Sequence, residues 1–237
     1  MKALLLAAGF GTRLRPLTNS VPKCLVSIAG EPLLGIWLRR LNAAGVEGFL
    51  VNTHYLSDQV FAYLDAHPLR ERITVVHEPL LRGTAGTLIA NIDYFAGTDG
   101  MLIHADNWCL ADLSAFIAAH HARQTRCALT MLGFRTDTPS NCGILEIDDD
   151  GVVAGFHEKV ADPPGNLANG AVYLLSPEFL VEMRTRFRES TDFSTQVLPH
   201  FVNRIQVYET SAPFLDIGAP TSYARAQELA RSTQART

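Results

Sequence analysis

The sequence predicts an α/β fold with a mainly parallel central sheet and helices on both faces. Short apolar runs alternate with helix-periodic segments through the first half of the chain, the spacing of βαβ units. The first run, Leu4-Leu5-Leu6, leads at once into a turn of small residues, Ala7-Ala8-Gly9-Phe10-Gly11-Thr12. With 237 residues the chain is long enough to bury a full core within one large domain.

The elements follow in order. Leu4–Leu6 reads as a buried strand. Leu34, Leu38 and Leu41 lie at helical spacing, so a helix is expected over 33–44, stopped by Gly45. Phe49–Val51 is a second strand, and Val60, Phe61 and Leu64 mark an amphipathic helix over 57–66. Ile73–Val76 is a third strand; Thr84 can cap a helix over 85–94. Met101–Ile103 is a fourth, ending at Ala105-Asp106.

The rhythm then changes. A helix over 112–123 precedes strands over 127–134, 143–147 and 152–157, with Asp148-Asp149-Asp150-Gly151 as a hairpin turn. A strand over 170–175, a helix from Pro177, and a short helix capped by Asp192 or Ser194 come next. Late strands over 206–209 and 214–215 lead to a helix over 221–231 and a polar, frayed tail over 232–237. No repeat or linker interrupts this pattern. A single domain over 1–237 is expected, with a front half over about 1–125 and a back half over about 126–237.

Composition narrows the partners. Apolar residues at 47% and charged ones at 19% describe a soluble globular protein. A net charge of −4, with no long basic stretch, argues against nucleic acid. No apolar segment approaches the roughly 18 residues that span a membrane, and the N-terminus reads as a first strand rather than a signal peptide. Cys24, Cys109, Cys127 and Cys142 are widely spaced without C-x-x-C, as expected of reduced thiols in a cytoplasmic protein.

The chemistry concentrates at strand ends, where a parallel sheet binds ligands. The small-residue turn lets backbone N–H groups close on an anion, and Arg13, Arg15 and Lys23 ring it with cations, as a polyphosphate needs. It is not a P-loop, because no Gly-Lys pair stands here, and not a dinucleotide fingerprint, because the third glycine is Leu14. Pro22 fixes the backbone before Lys23. Asp106 at the end of the fourth strand is a hard oxygen ligand suited to Mg²⁺. The histidines, His54, His77 and His104 among them, read as structural or rim residues.

The stretch L-A-A-G-x-G-T-R-L-x-P-L-T followed by P-K resembles the sugar-1-phosphate nucleotidyltransferases. Glu78-Pro79, Gly83-Thr84-Ala85-Gly86, Asn141-Cys142-Gly143, Glu158-Lys159, Asn169-Gly170 and Asp216-Ile217-Gly218 extend the resemblance over nearly the whole chain. It departs from the family at Ala105, where Gly is usual, and at Val160, where Pro is frequent.

The resemblance implies a Rossmann-like nucleotide-diphospho-sugar transferase fold. It implies that Leu6, Ala7, Ala8, Gly9, Gly11, Thr12 and Arg13 hold a nucleoside triphosphate, with Glu78, Gly83, Thr84 and Ala85 lining base and ribose. A carboxylate at Glu78 in that place could accept the N1 and N2 hydrogens of guanine, a two-point match. Asn141, Gly143, Glu158, Lys159, Asn169 and Gly170 would surround the sugar phosphate. Asp106 and Asp216 would bind Mg²⁺, and Arg13, Lys23 and Lys159 would act on the reacting phosphates. The compact form looks most like guanylyltransferases that use GTP with D-glycero-D-manno-heptose 1-phosphate or mannose 1-phosphate for capsule or surface polysaccharide. A uridylyl- or thymidylyltransferase and a non-catalytic nucleotide-sugar sensor remain as alternatives. The family often forms dimers or tetramers, so a homo-oligomer is an open alternative to a monomer.

Overall fold

The computed structural model describes residues 1–234. In chain order its first elements are β1 (Lys2–Leu6), β2 (Ser27–Ile28), β3 (Glu31–Pro32), α1 (Leu33–Ala43), β4 (Gly48–Thr53), α2 (Ser57–Asp65) and β5 (Ile73–His77). There follow α3 (Gly83–Ala90), β6 (Gly100–His104), β7 (Asn107–Cys109), α4 (Leu113–His121), β8 (Leu129–Arg135), β9 (Gly143–Ile147) and β10 (Val153–Glu158). The last are β11 (Leu167–Leu175), α5 (Pro177–Arg186), α6 (Phe193–Gln196), β12 (Ile205–Thr210), β13 (Phe214–Asp216) and α7 (Pro220–Gln234). The class is α/β, a mainly parallel central sheet with helices, as the alternation of elements predicts.

The chain packs as two compact units, each assembled from three stretches. One, termed the loop unit, holds Leu4–Leu81, His104–Leu110 and the described chain from Ala212 onward. In it β4 and β5 pair in parallel, Phe49 opposite Ile73 and Thr53 opposite His77. Gly45, at φ +84, ends α1 in a left-handed conformation that suits glycine, while the Val46 N–H closes back on the Leu41 carbonyl at 3.0 Å. Leu14, Val26, Ile28, Leu33, Trp108 and Ile217 form one buried cluster. Three of these neighbour chemistry-bearing residues in sequence: Leu14 follows Arg13, Trp108 lies two after Asp106, and Ile217 follows Asp216. Fully burying a side chain of this size contributes roughly 1.5–3 kcal/mol, so apolar packing fixes the backbone from which the polar groups project.

The other, the hairpin unit, holds Met1–Ala3, Arg82–Ile103 and Ala111–Ser211. Here β8 and β12 run parallel, while β11 pairs antiparallel with β8 and β9, and β9 with β10. The β9–β10 turn closes as its residues predict: the Asp148 carboxylate accepts from the Asp150 and Val152 N–H groups at 3.0 and 2.8 Å, and Gly151 takes φ +72. In the same unit Tyr173, Phe193, Phe179 and Phe201 pack with successive ring centroids 4.8, 6.0 and 4.7 Å apart.

Three expectations change. The helix expected over 85–94 starts at Gly83 and breaks at Asn91, with a separate turn of 3₁₀ helix over Ile92–Phe95. Thr84 does not cap it; its Oγ1 accepts from the Phe193 N–H at 2.8 Å. Of the two candidates for the short helix, Asp192 is the cap, accepting from the Thr195 N–H at 2.7 Å. At the C-terminal end, α7 runs on through Gln234, so 232–234 of the expected tail are helical; residues 235–237 lie outside the described residues. No described helix is long and apolar enough to cross a membrane.

Candidate active site

The phosphate-loop candidates and both metal candidates belong to the loop unit. After β1 the chain turns at Ala7, whose N–H is held by the Asn52 Oδ1 of β4 at 2.8 Å. Gly9 is exposed and a Cβ there would meet nothing within 4 Å, whereas Gly11 is confined. It sits at φ +62, and a Cβ would come within 2.9 Å of Thr18 Cγ2 and 3.0 Å of Lys23 Cβ. Gly11 therefore answers both a left-handed backbone and a close approach. The fully buried Thr18 locks the loop, its Oγ1 donating to the Gly11 carbonyl at 2.7 Å. Thr12 and Arg13 follow in a short 3₁₀ turn and face solvent.

Lys23 is 7 % exposed and lies between the two carboxylates. Its Nζ donates to Asp106 Oδ2 at 2.6 Å and to Asp216 Oδ1 at 3.4 Å, while Arg13 Nη2 reaches Asp216 Oδ2 at 3.4 Å. Burial pushes the Asp106 carboxyl up, but the Lys23 ammonium, His104 and the hydrogen bonds it accepts outweigh that and hold it below its ordinary value. The two Asp residues arrive from separate strand ends brought together by β7 and β13, which pair Asn107 with Asp216, and the Ile217 N–H donates to the Asp106 carbonyl at 3.2 Å. Trp37 of α1 donates Nε1–H to the Asn107 carbonyl at 2.8 Å, which holds the same corner. Ala105, where the family has Gly, is buried and takes no left-handed conformation, so its methyl group is accommodated.

Glu78 departs from the open carboxylate that the guanine reading needs. It is 1 % exposed, with its N–H on the Thr53 carbonyl at 2.8 Å and its own carbonyl 2.7 Å from His54 Nδ1. A carbonyl only accepts, so Nδ1 is the donor in this contact. Recognition of a base edge by Glu78 requires its carboxylate to turn outward.

In the hairpin unit, Gly143 and Glu158 are cross-strand partners of β9 and β10, and a Cβ at Gly143 would stand 2.5 Å from Glu158 Oε2. Glycine there leaves room for the carboxylate. Lys159 follows in a left-handed conformation, φ +51, uncommon for a residue with a side chain and of a kind that collects at functional sites. Its N–H bonds the Cys142 carbonyl at 3.1 Å, and its mostly exposed ammonium lies 3.2 Å from Glu158 Oε1. Asn169 and Gly170 fall at the irregularity in β11, between the paired positions 169 and 173. The Asn169 side chain is engaged locally: Nδ2 donates to Tyr173 Oη and Oδ1 accepts from the Ala171 N–H, both at 2.8 Å. Burial drives the Tyr173 hydroxyl well above its ordinary pKa, Glu158 and Asp192 add to the rise, and hydrogen bonds to Asn169 and Ser194 offset part of it. Glu158, Asn169 and Tyr173 are thus one neighbourhood, while Asn141 stands exposed at the end of a 3₁₀ turn.

Gly83, Thr84 and Ala85 also lie in this unit and carry a packing role. Gly83 has φ +77, a Cβ there would come within 2.3 Å of the Thr191 carbonyl oxygen, and the Ala85 N–H donates to that carbonyl at 3.0 Å. The parts played by Asn52, Thr18, Trp37 and Tyr173 are not evident from sequence. Asn52 alone leaves a signal, a polar residue inside the apolar run of β4.

The model of the nucleotidyl transferase family matches residues 2–233. The chain belongs to that family. Mannose-1-phosphate guanyltransferase of Schizosaccharomyces pombe is 31% identical over 236 residues, which cover 94% of this chain and 62% of that protein. Mannose-1-phosphate guanylyltransferase 1 of Arabidopsis thaliana is 30% identical, covering 94% and 63%. The chain therefore spans somewhat less than two thirds of the length of these relatives. Among solved structures, HddC from Yersinia pseudotuberculosis complexed with GMP-PN superposes with a TM-score of 0.80 at 26% identity, covering 96% of this chain and 98% of that one.

Proposed function

We propose that the chain transfers a nucleoside monophosphate from a nucleoside triphosphate, GTP by preference, to a sugar 1-phosphate and releases pyrophosphate. The observation that carries this reading is the Lys23 ammonium held by Asp106 and Asp216, with Arg13 beside them, in the unit that contains the glycine turn. The acceptor phosphate needs no general base, since its second pKa of about 6 leaves it ionised at pH 7. What must be overcome is repulsion between two anions, a task for fixed cations and alignment. Arg13 and Lys23 neutralise the triphosphate, and the N–H groups around Gly9 and Gly11 hold it in line. Lys159, set by its left-handed backbone, meets the phosphate of the acceptor, and Glu158 and Asn169 meet sugar hydroxyls.

The donor set at Asp106 and Asp216 fits Mg²⁺: two hard carboxylate oxygens converge on one cationic group, the Lys23 ammonium. Bound there, Mg²⁺ supplies charge neutralisation for phosphate oxygens.

Guanine preference and mannose 1-phosphate as acceptor follow the names of the relatives and the GMP-PN complex of HddC; D-glycero-D-manno-heptose 1-phosphate, of the same ring configuration, is the other acceptor proposed. A place in surface-polysaccharide synthesis, in the cytoplasm, goes with that acceptor.

Pyrophosphate release with GTP, UTP, dTTP, CTP and ATP crossed against mannose, heptose, glucose and N-acetylated sugar 1-phosphates tests the proposal. Turnover confined to GTP and a manno-configured sugar supports it. UTP in place of GTP keeps the reaction and overturns the base preference. Binding of nucleotide sugar without turnover on any pair overturns the enzymatic reading. Asp106→Asn and Lys159→Ala are expected to abolish turnover with the melting temperature within a few degrees of the parent; parental rates in both refute the roles of these two residues. Glu78→Gln that leaves the GTP-to-UTP ratio unchanged removes Glu78 from base recognition.

A further inference from the structure

We infer that Lys23 is a built-in rival of the divalent cation: its ammonium holds the Asp106–Asp216 pair until phosphate draws it away, so metal enters with the nucleotide rather than ahead of it. The inference rests on the reading of that pair as the metal site. Lys23 Nζ lies 2.6 Å from Asp106 Oδ2 and 3.4 Å from Asp216 Oδ1, the oxygens a cation between the two carboxylates would share. A Mg²⁺ ion takes oxygens at about 2.0–2.1 Å, a position that an ammonium at hydrogen-bond distance from the same atoms obstructs and repels.

Charge leads to the same conclusion. The two carboxylates are already balanced by Lys23 and by Arg13, which reaches Asp216 from the other side. A divalent ion added to this set brings uncompensated positive charge, and a triphosphate offsets it.

The lysine is built to swing rather than to leave. Its backbone is pinned by the Leu25 N–H on the Pro22 carbonyl at 2.8 Å and the Val26 N–H on its own carbonyl at 3.2 Å. Its Cβ abuts Gly11, 3.0 Å from where a Cβ on that glycine would stand. The outer methylenes therefore carry the movement, and the stem begins against the turn proposed to cradle the phosphates. Lys23 thus has two alternative anionic partners, reached from one fixed root.

The test is Mn²⁺ binding without nucleotide, followed by the electron paramagnetic resonance of free Mn²⁺, in the wild type, Lys23→Met and Lys23→Gln. An opposite charge in direct contact shifts an ionic equilibrium by one to three powers of ten, so each Lys23 variant is expected to bind one Mn²⁺ at least about tenfold more tightly than the wild type. Arg13→Met, which removes the same charge from an exposed position, changes affinity by less than about threefold, and adding Asp106→Asn to Lys23→Met abolishes the site. Equal affinity in the wild type and both Lys23 variants, lost with Asp106→Asn, overturns the rivalry and leaves the metal site standing. No Mn²⁺ bound by the wild type or the Lys23 variants at millimolar concentration overturns both.

The unaltered protein gives a second readout. Lys2, Lys23 and Lys159 are its three lysines, so ¹³Cε-lysine labelling yields three signals. The Lys23 signal is expected to stay in place with millimolar Mg²⁺ alone and to move when a non-hydrolysable triphosphate is added. Full displacement by Mg²⁺ alone, or no movement with both, refutes the swing.

Discussion

Acidification should destabilise the hairpin unit through one buried histidine. His120 of α4 is fully buried, with Nδ1 2.8 Å from Thr130 Oγ1 of β8 and Nε2 3.7 Å from Asp99 Oδ1. Burial, with Arg123 and His121 adding positive charge, pushes its pKa down to about 4 from 6.5 against the pull of Asp99. Below pH 6.5 the unfolded chain takes up a proton that the folded chain refuses, so stability is lost as pH falls from 6.5 through 4. Between pH 7.5 and 5 the loss from this one group comes to about 2 kcal/mol, or roughly 4–8 °C in melting temperature for a chain of this size. His120→Gln keeps a polar group near Thr130 and cannot titrate. Urea unfolding of both proteins at pH 7.5 and 5.0 isolates the effect, because every other titrating group is common to the pair. The wild type should lose about 2 kcal/mol more than the variant over this interval. Equal losses would refute the assignment.

Other perturbations have equally definite outcomes. Gly11→Ala meets both the left-handed backbone and the Thr18–Lys23 contact, so melting should fall by several degrees and KM for the triphosphate should rise; an unchanged KM would detach the turn from nucleotide binding. Trp37→Phe removes the indole donor from the Asn107 carbonyl and should cost about 1–2 kcal/mol in urea unfolding, with added loss of turnover as the Asp106 corner loosens. Asp192→Ala removes the cap of α6 and should cost about 1 kcal/mol without changing KM for either substrate.

The glycine turn, Lys23 and Asp106 stand out in the sequence because each lies in a short stretch whose chemistry is local, whereas Asp216 is singled out only by the resemblance of its D-I-G. The structure adds that Asp106 and Asp216 converge through β7 and β13, two three-residue strands too short to show alternation. Thr18 stays hidden for a related reason: it is an ordinary polar residue until its partner Gly11 is folded beside it, whereas Asn52 at least interrupts an apolar strand. The G-T-A stretch shows the opposite limit. Its glycine is required by the Thr191 carbonyl and its threonine by the Phe193 N–H, so a motif borrowed for its ligand role carries a structural one. Asn169 is placed at the sugar by the resemblance alone; the structure adds that a two-residue return to Ala171 and a bond to Tyr173 engage one acceptor site and one donor of its amide. The helix expected over 85–94 also breaks at Asn91, which no residue type in that stretch announces.

The hairpin of β2 and β3 lies directly after the Lys23 turn, and its hold comes from far along the chain. Gln227 of α7 donates to the Ser27 carbonyl at 2.7 Å and accepts from the Ala29 N–H at 2.9 Å, across 200 and 198 residues, while Tyr223 donates to the same Ser27 carbonyl at 3.2 Å. A growing polypeptide exposes its glycine turn first and completes the surroundings of that turn some two hundred residues later. The hairpin beside the Lys23 turn therefore gains these three hydrogen bonds only once the part of α7 that carries Tyr223 and Gln227 has been made.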